Sequence, residues 1–131
     1  MSVHEMRLVV TVEDFEAAVA FYRDALGLPQ LADFSSPDGR VLLLGAGTAT
    51  LEIVDQAQAT YIDDVEVGRR VAGHIRVGFE VDDTATATDA LRHAGATVIA
   101  PPTTTPWGSL NSRLDAPAGL QLTLFSGDVV D

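Results

Sequence analysis

The stretch His74-Ile75-Arg76-Val77-Gly78-Phe79-Glu80-Val81-Asp82-Asp83 aligns without a gap on Glu5-Met6-Arg7-Leu8-Val9-Val10-Thr11-Val12-Glu13-Asp14. Arg76 falls on Arg7, Val77 on Leu8, Val81 on Val12, and Asp82-Asp83 on Glu13-Asp14. Each segment reads as a strand rich in β-branched residues that runs into the acidic start of a helix. A strand and its following helix have been written twice, and such repetition decides how the rest of the chain divides.

Outward from the first copy, residues 6–12 are a strand and Asp14 caps a helix. Phe15, Val19, Tyr22 and Leu26 recur at helical spacing, with Ala18 and Ala25 filling the stripe. Gly27 ends that helix and Pro29 prevents its resumption. Strands follow at 31–34, 40–44 and 50–54, separated by Ser36-Pro37-Asp38-Gly39 and Gly45-Ala46-Gly47. The first module is β-α-β-β-β over residues 6–54.

Residues 55–73 are a connector, longer than most loops within a compact domain, with Tyr61, acids at Asp63, Asp64 and Glu66, and the pair Arg69-Arg70. It forms either a short helix or an arm lying on a partner. The second module spans 74–126 and repeats the order. Its helix is capped by Asp83 or Thr84, carries the stripe Ala87, Ala90, Leu91, Ala94, and ends at Gly95. Strands are expected at 97–100, 110–114 and 120–125, with Pro101-Pro102 breaking the first of them and 103–108 forming a loop. Residues 126–131 read as an acidic tail. The fold class is α+β, two βαβββ modules in one domain over 1–131.

Composition narrows the function. A chain of 131 residues with 47% apolar content can build one core. Nineteen acids against eight Lys plus Arg give a formal charge of −11, which argues against nucleic acid and anionic membrane surfaces. There is no Cys, hence no disulfide or thiolate site. The start lacks a basic segment followed by an apolar run, and no apolar run approaches the roughly 18 residues of a membrane span. A cytoplasmic protein is the expectation.

Two modules of this plan resemble the vicinal oxygen chelate superfamily, which includes glyoxalase I, extradiol dioxygenases, and fosfomycin- and bleomycin-resistance proteins. Val12-Glu13-Asp14-Phe15 with Phe21-Tyr22-Arg23-Asp24-Ala25-Leu26-Gly27-Leu28, Phe79-Glu80-Val81-Asp82-Asp83, and Asp115-Ala116-Pro117-Ala118-Gly119-Leu120-Gln121-Leu122 carry the likeness. It implies half-cup sheets that close around a pocket, and small members of this kind are usually homodimers with pockets between chains.

The resemblance also implies where a divalent metal would be held: one ligand from the first and one from the last strand of each module. Those positions fall on Arg7, Glu52, Arg76 and Thr123. A guanidinium has no lone pair to give a metal. This predicts a disabled metal site and no cofactor. A shifted register instead offers Glu5, Glu52 and His74 as donors, the set a glyoxalase I-type lyase or isomerase would use. Two arginines against Glu52 leave a positive charge to bind a ligand's acidic group. Ligand contacts are expected from Arg7, Glu52, His74, Arg76 and Thr123, with Trp107, Asn111 and Arg113 if they reach the pocket. Trp107 is either a pocket wall or an interface anchor. The leading expectation is a metal-free small-molecule-binding protein of the bleomycin-resistance kind. Whether it is an enzyme stays open, since His74 or Glu52 could move a proton.

Overall fold

A computed structural model describes residues 1–127. Eight strands form one sheet in the order β2-β3-β4-β1-β5-β8-β7-β6. In chain order they are β1 (Val3–Thr11), β2 (Gln30–Asp33), β3 (Val41–Ala46), β4 (Ala49–Val54), β5 (Ile75–Val81), β6 (Thr97–Thr104), β7 (Ser109–Ala116) and β8 (Leu120–Gly127). Each module supplies four neighbouring strands, and the two first strands join the halves as an antiparallel pair. Arg7 lies opposite Gly78 and Val9 opposite Arg76. Those two pairs exchange under the gapless repeat, so the ladder is centred on a local twofold. The last strands obey the same relation: Val9 pairs with Glu52 and Gly78 with Thr123, both in parallel ladders.

Three helices cover this sheet. Helix α1 (Phe15–Val19) and its continuation Ala20–Ala25 pack Phe15 and Val19 on Leu42, Leu44 and Ile53. Helix α3 (Thr84–His93) packs Ala87 on Leu114 and Leu124 of the same outer face. Helix α2 (Gln56–Glu66) is the connector, capped by Asp55. It lies in the inner, concave face, where Ala59 joins Val9, Val41 and Val54. Gly39 lets it come close, since a Cβ there would stand 2.3 Å from the Gln58 nitrogen.

Several local expectations need correction. Residues 20–25 wind as a π-helix, with the Leu26 N–H bonding the Phe21 carbonyl at 2.8 Å. The wider turn rotates Leu26 off the stripe, leaving it and Ala25 exposed. On α3 the buried stripe is Thr84, Ala87 and Thr88, while Ala90 and Ala94 face outward. Thr84 meets Ser126, and Thr88 meets Ser112 at 2.7 Å, so this contact is made through paired hydroxyls. Strand β6 continues through Pro101-Pro102 to Thr104. It is an edge strand with two register shifts, and a proline there forfeits no obligatory ladder bond. Ser126 and Gly127, expected in the tail, finish β8, and 128–131 lie outside the described residues.

Residues of both modules of this chain line one pocket on the concave face. Among the described residues no helix is long and apolar enough to cross a membrane.

Candidate functional site

Side chains alternate across a strand, so Arg7 and Val9 of β1 and Arg76 and Gly78 of β5 share the concave face. Glu52 of β4 and Thr123 of β8 project into the same space. Together they line a cavity of about 370 Å³. Val41 and Phe34 wall it on the first module, Phe125 on the second, and α2 contributes Tyr61 and Ile62. Trp107, in the loop between β6 and β7, sits with its ring 6.1 Å from that of Tyr61. It is therefore a wall of the cavity and not only a surface residue.

The two arginines have different company. Arg7 reaches Glu5 at 3.0 Å and Glu52 at 3.6 Å, and its guanidinium lies 4.9 Å from the Phe125 ring centroid. Glu5 also accepts from the Thr50 hydroxyl at 2.7 Å. Arg76 donates to the Thr123 hydroxyl at 2.8 Å, and among the described residues no carboxylate lies within ion-pairing distance of it. Burial, and then the neighbouring Arg113, push the Arg76 guanidinium below the ordinary arginine value. Arg76 and Glu52 are both more than nine-tenths buried. The Glu52 carboxylate meets the Arg7 guanidinium at 3.6 Å, an ionic contact longer than a hydrogen bond. Among the described residues Glu5 joins Glu52 against Arg7, and Arg76 meets neither at ion-pairing distance.

Arg113 is also buried on the concave side, but it is engaged elsewhere. Its Nη1 donates to Asp63 Oδ1 and Gln121 Oε1, both at 2.8 Å, and its Nη2 to Glu66 Oε1 at 2.9 Å. Asn111 donates to the other Glu66 oxygen at 2.8 Å and so lines the cavity in a fixed orientation. Asp63 Oδ2 accepts from Arg70, Val71 and Ala72, which ties down the chain after α2. Asp63 and Glu66 thus clamp α2 into the cup. Asp55 followed by eleven residues without Gly or Pro, with Gln58, Ile62 and Glu66 four apart, is the signal for that helix.

His74 stands apart. It is exposed just before β5, in a separate hollow lined by Thr11, Glu13, Gln56 and Arg70. Glu5 and Glu52 meet around Arg7, but His74 does not join them. Among the described residues no three His, Cys, Asp or Glu side chains are grouped to hold a metal ion. The donor set at the four matching strand positions, two guanidinium groups, one carboxylate and one hydroxyl, does not fit a divalent cation.

A family model described as Glyoxalase/Bleomycin resistance protein/Dioxygenase superfamily matches residues 6–124. A search of curated proteins gives no match. Among solved structures, the chain is similar to hypothetical protein BH1468 from Bacillus halodurans C-125. The identity is 14% and the TM-score 0.73, over 98% of this chain and 96% of that one. It is similar to a Streptomyces coelicolor methylmalonyl-CoA epimerase variant in complex with 2-nitronate-propionyl-CoA, at 19% identity and TM-score 0.69, over 99% of both chains. Methylmalonyl-CoA epimerase from Mycobacterium tuberculosis is similar at 15% identity and TM-score 0.68, over 96% of this chain and 89% of that one. At these identities the likeness is one of fold.

Proposed function

The chain belongs to the glyoxalase/bleomycin resistance protein/dioxygenase superfamily, and on that premise we propose that it is a small-molecule-binding protein whose cup works without a resident metal. In this reading Arg7 and Arg76 disable the metal site, and Arg76 seats an acidic group of the ligand. One observation carries it: a buried guanidinium, bonded to a hydroxyl and facing no described carboxylate, opens on a cavity large enough for a small organic molecule. A buried charge without a counter-charge is costly, and an incoming anion relieves that cost. Phe34, Phe125, Tyr61 and Trp107 supply apolar and aromatic surface for the ligand's body. The glyoxalase I-type alternative needs His74 beside Glu52, and His74 opens on a different hollow.

The experiment is calorimetric titration of small aromatic and aliphatic carboxylates into protein purified without an affinity tag, with elemental analysis of the same sample. Saturable binding with no stoichiometric Zn, Ni, Mn or Fe is the expected result. Stoichiometric metal lost in Glu52→Ala would overturn the reading.

The same reading includes a homodimer, formed through the outer face of the sheet. Helix α2 already covers the concave face, so that face does not call for a partner. On the outer face of the central strands, Met6, Leu8 and Ile75 remain exposed between the flanks covered by α1 and α3. A strip lying on a local twofold suits a self-complementary contact. A monomer in sedimentation velocity at micromolar concentration would exclude it.

A further inference from the structure

Glu52, Val9 and Arg76 form one row across three adjacent strands: Val9 pairs with Glu52 on one side and with Arg76 on the other. All three side chains face the cavity. With strands about 4.8 Å apart, the α-carbons of Glu52 and Arg76 stand about 10 Å from each other, and the Glu52 charge acts on Arg76 across that gap. They form no ion pair in the structure, although each is more than nine-tenths buried. The carboxylate meets Arg7 only at 3.6 Å, which leaves it acceptor capacity. The Arg76 guanidinium has donors beyond the one given to Thr123.

We infer that Glu52 and Arg76 recognise the two ends of a single ligand, an ammonium or protonated amine at Glu52 and a carboxylate at Arg76. The ligand class is an amino acid in the broad sense, with its two charges set at opposite ends of a small, flat apolar body. This rests on the function proposed for the cup and deepens it. Among the described residues Glu5 and Glu52 both lie against Arg7, while Arg76 bonds the Thr123 hydroxyl. A zwitterion offers Glu52 and Arg76 each an opposite charge, whereas a simple anion or a simple cation serves only one of them. Val9 between the two charges and the aromatic walls above it accept the apolar middle of such a molecule.

The test uses four probes on the wild-type protein: benzoate, benzylamine, and 3- and 4-(aminomethyl)benzoate. The expected result is that one or both aminomethylbenzoates bind at least tenfold more tightly than benzoate and than benzylamine. In Glu52→Gln, which keeps the shape, that advantage should vanish, and Arg76→Lys should weaken benzoate and both aminomethylbenzoates together. If benzoate binds and neither aminomethylbenzoate binds better, the two-ended inference is overturned while the acid-binding role of Arg76 stands. If none of the four binds at millimolar concentration, both are overturned. The wild-type comparison decides these outcomes whether or not a variant folds.

Discussion

Arg7 and Arg76 occupy equivalent places in the two halves of the sheet, yet only Arg7 lies against described carboxylates. The difference traces to two positions, one of which is Glu5, matched in the second copy by His74. Where the last strand of the first module carries Glu52, the last strand of the second carries Thr123. A hydroxyl satisfies one guanidinium N–H but brings no charge, so the second half of the cup keeps a cation for use.

Replacing Arg76 by Lys keeps the charge and loses the planar fork. Carboxylate binding should weaken by about 1.5–3 kcal/mol, the size of a hydrogen bond to a charged group. Arg76→Met should abolish binding. Calorimetry on the folded variants is the check, and a Met variant that binds carboxylates as well as wild type would remove Arg76 from the site.

Thr123→Glu should do the opposite to the protein and the same to the ligand. A carboxylate at that position restores the pairing that Arg7 enjoys through Glu52. Thermal stability should rise or hold, while affinity for carboxylates falls at least tenfold, since the anion's place is taken. Undiminished affinity in this variant would mean that the ligand's acid binds elsewhere.

The clamp on α2 should show itself through acid. Burial works to raise the Asp63 carboxyl, but the Ala72 N–H, the Arg113 guanidinium and the Val71 N–H together outweigh it and hold it below the ordinary 3.8. A depressed folded value means that the ionised form favours the fold. That contribution is complete above the unfolded value and is lost as pH falls through the lower folded one. Asp63→Asn should therefore cost about 3–5 kcal/mol at pH 7, as expected when one member of a buried ionic network is removed. The gap from wild type should narrow below about pH 4. Urea denaturation at several pH values measures it, and a gap that does not change with pH would contradict the assignment.

Gly39→Ala should damage both stability and binding, because its methyl group would collide with the Gln58 backbone and lift α2 from the cup. An overpacked contact of this kind costs about 1–3 kcal/mol. Gly73→Ala, which meets nothing within 4 Å, is the matched control and should be neutral. Denaturant midpoints of the two variants, with carboxylate titrations alongside, measure the difference.

The repeat makes the sheet legible in the sequence, because a gapless alignment of two strands fixes which residues share a face. Arg7, Glu52, Arg76 and Thr123 converge for that reason. Arg113 can be placed on a strand face from the sequence but its partners cannot, since its pairing depends on α2, and nothing in the local pattern says that Asp63 and Glu66 are buried. Acids in a long connector ordinarily face water. The π-helical turn at 20–25 and the passage of β6 through two prolines are hidden for a similar reason. Each is a tertiary outcome that overrides the preference of the residues concerned.

The pairing of β1 with β5 also fixes a moment of exposure in the life of each molecule. As the chain is synthesised, β1 to β4 can assemble as soon as they emerge, leaving β1 at the border of a four-stranded sheet. Its other border is completed only when β5 follows, after the whole of α2. At about 5–20 residues per second, an open strand edge bearing Met6, Leu8 and Val10 waits for seconds before it is covered. Closure over so long a loop is slow in refolding as well. Yield in the cell should therefore depend on how quickly the second half follows the first, and a pause placed within the α2 codons should lower soluble recovery without altering a single side chain.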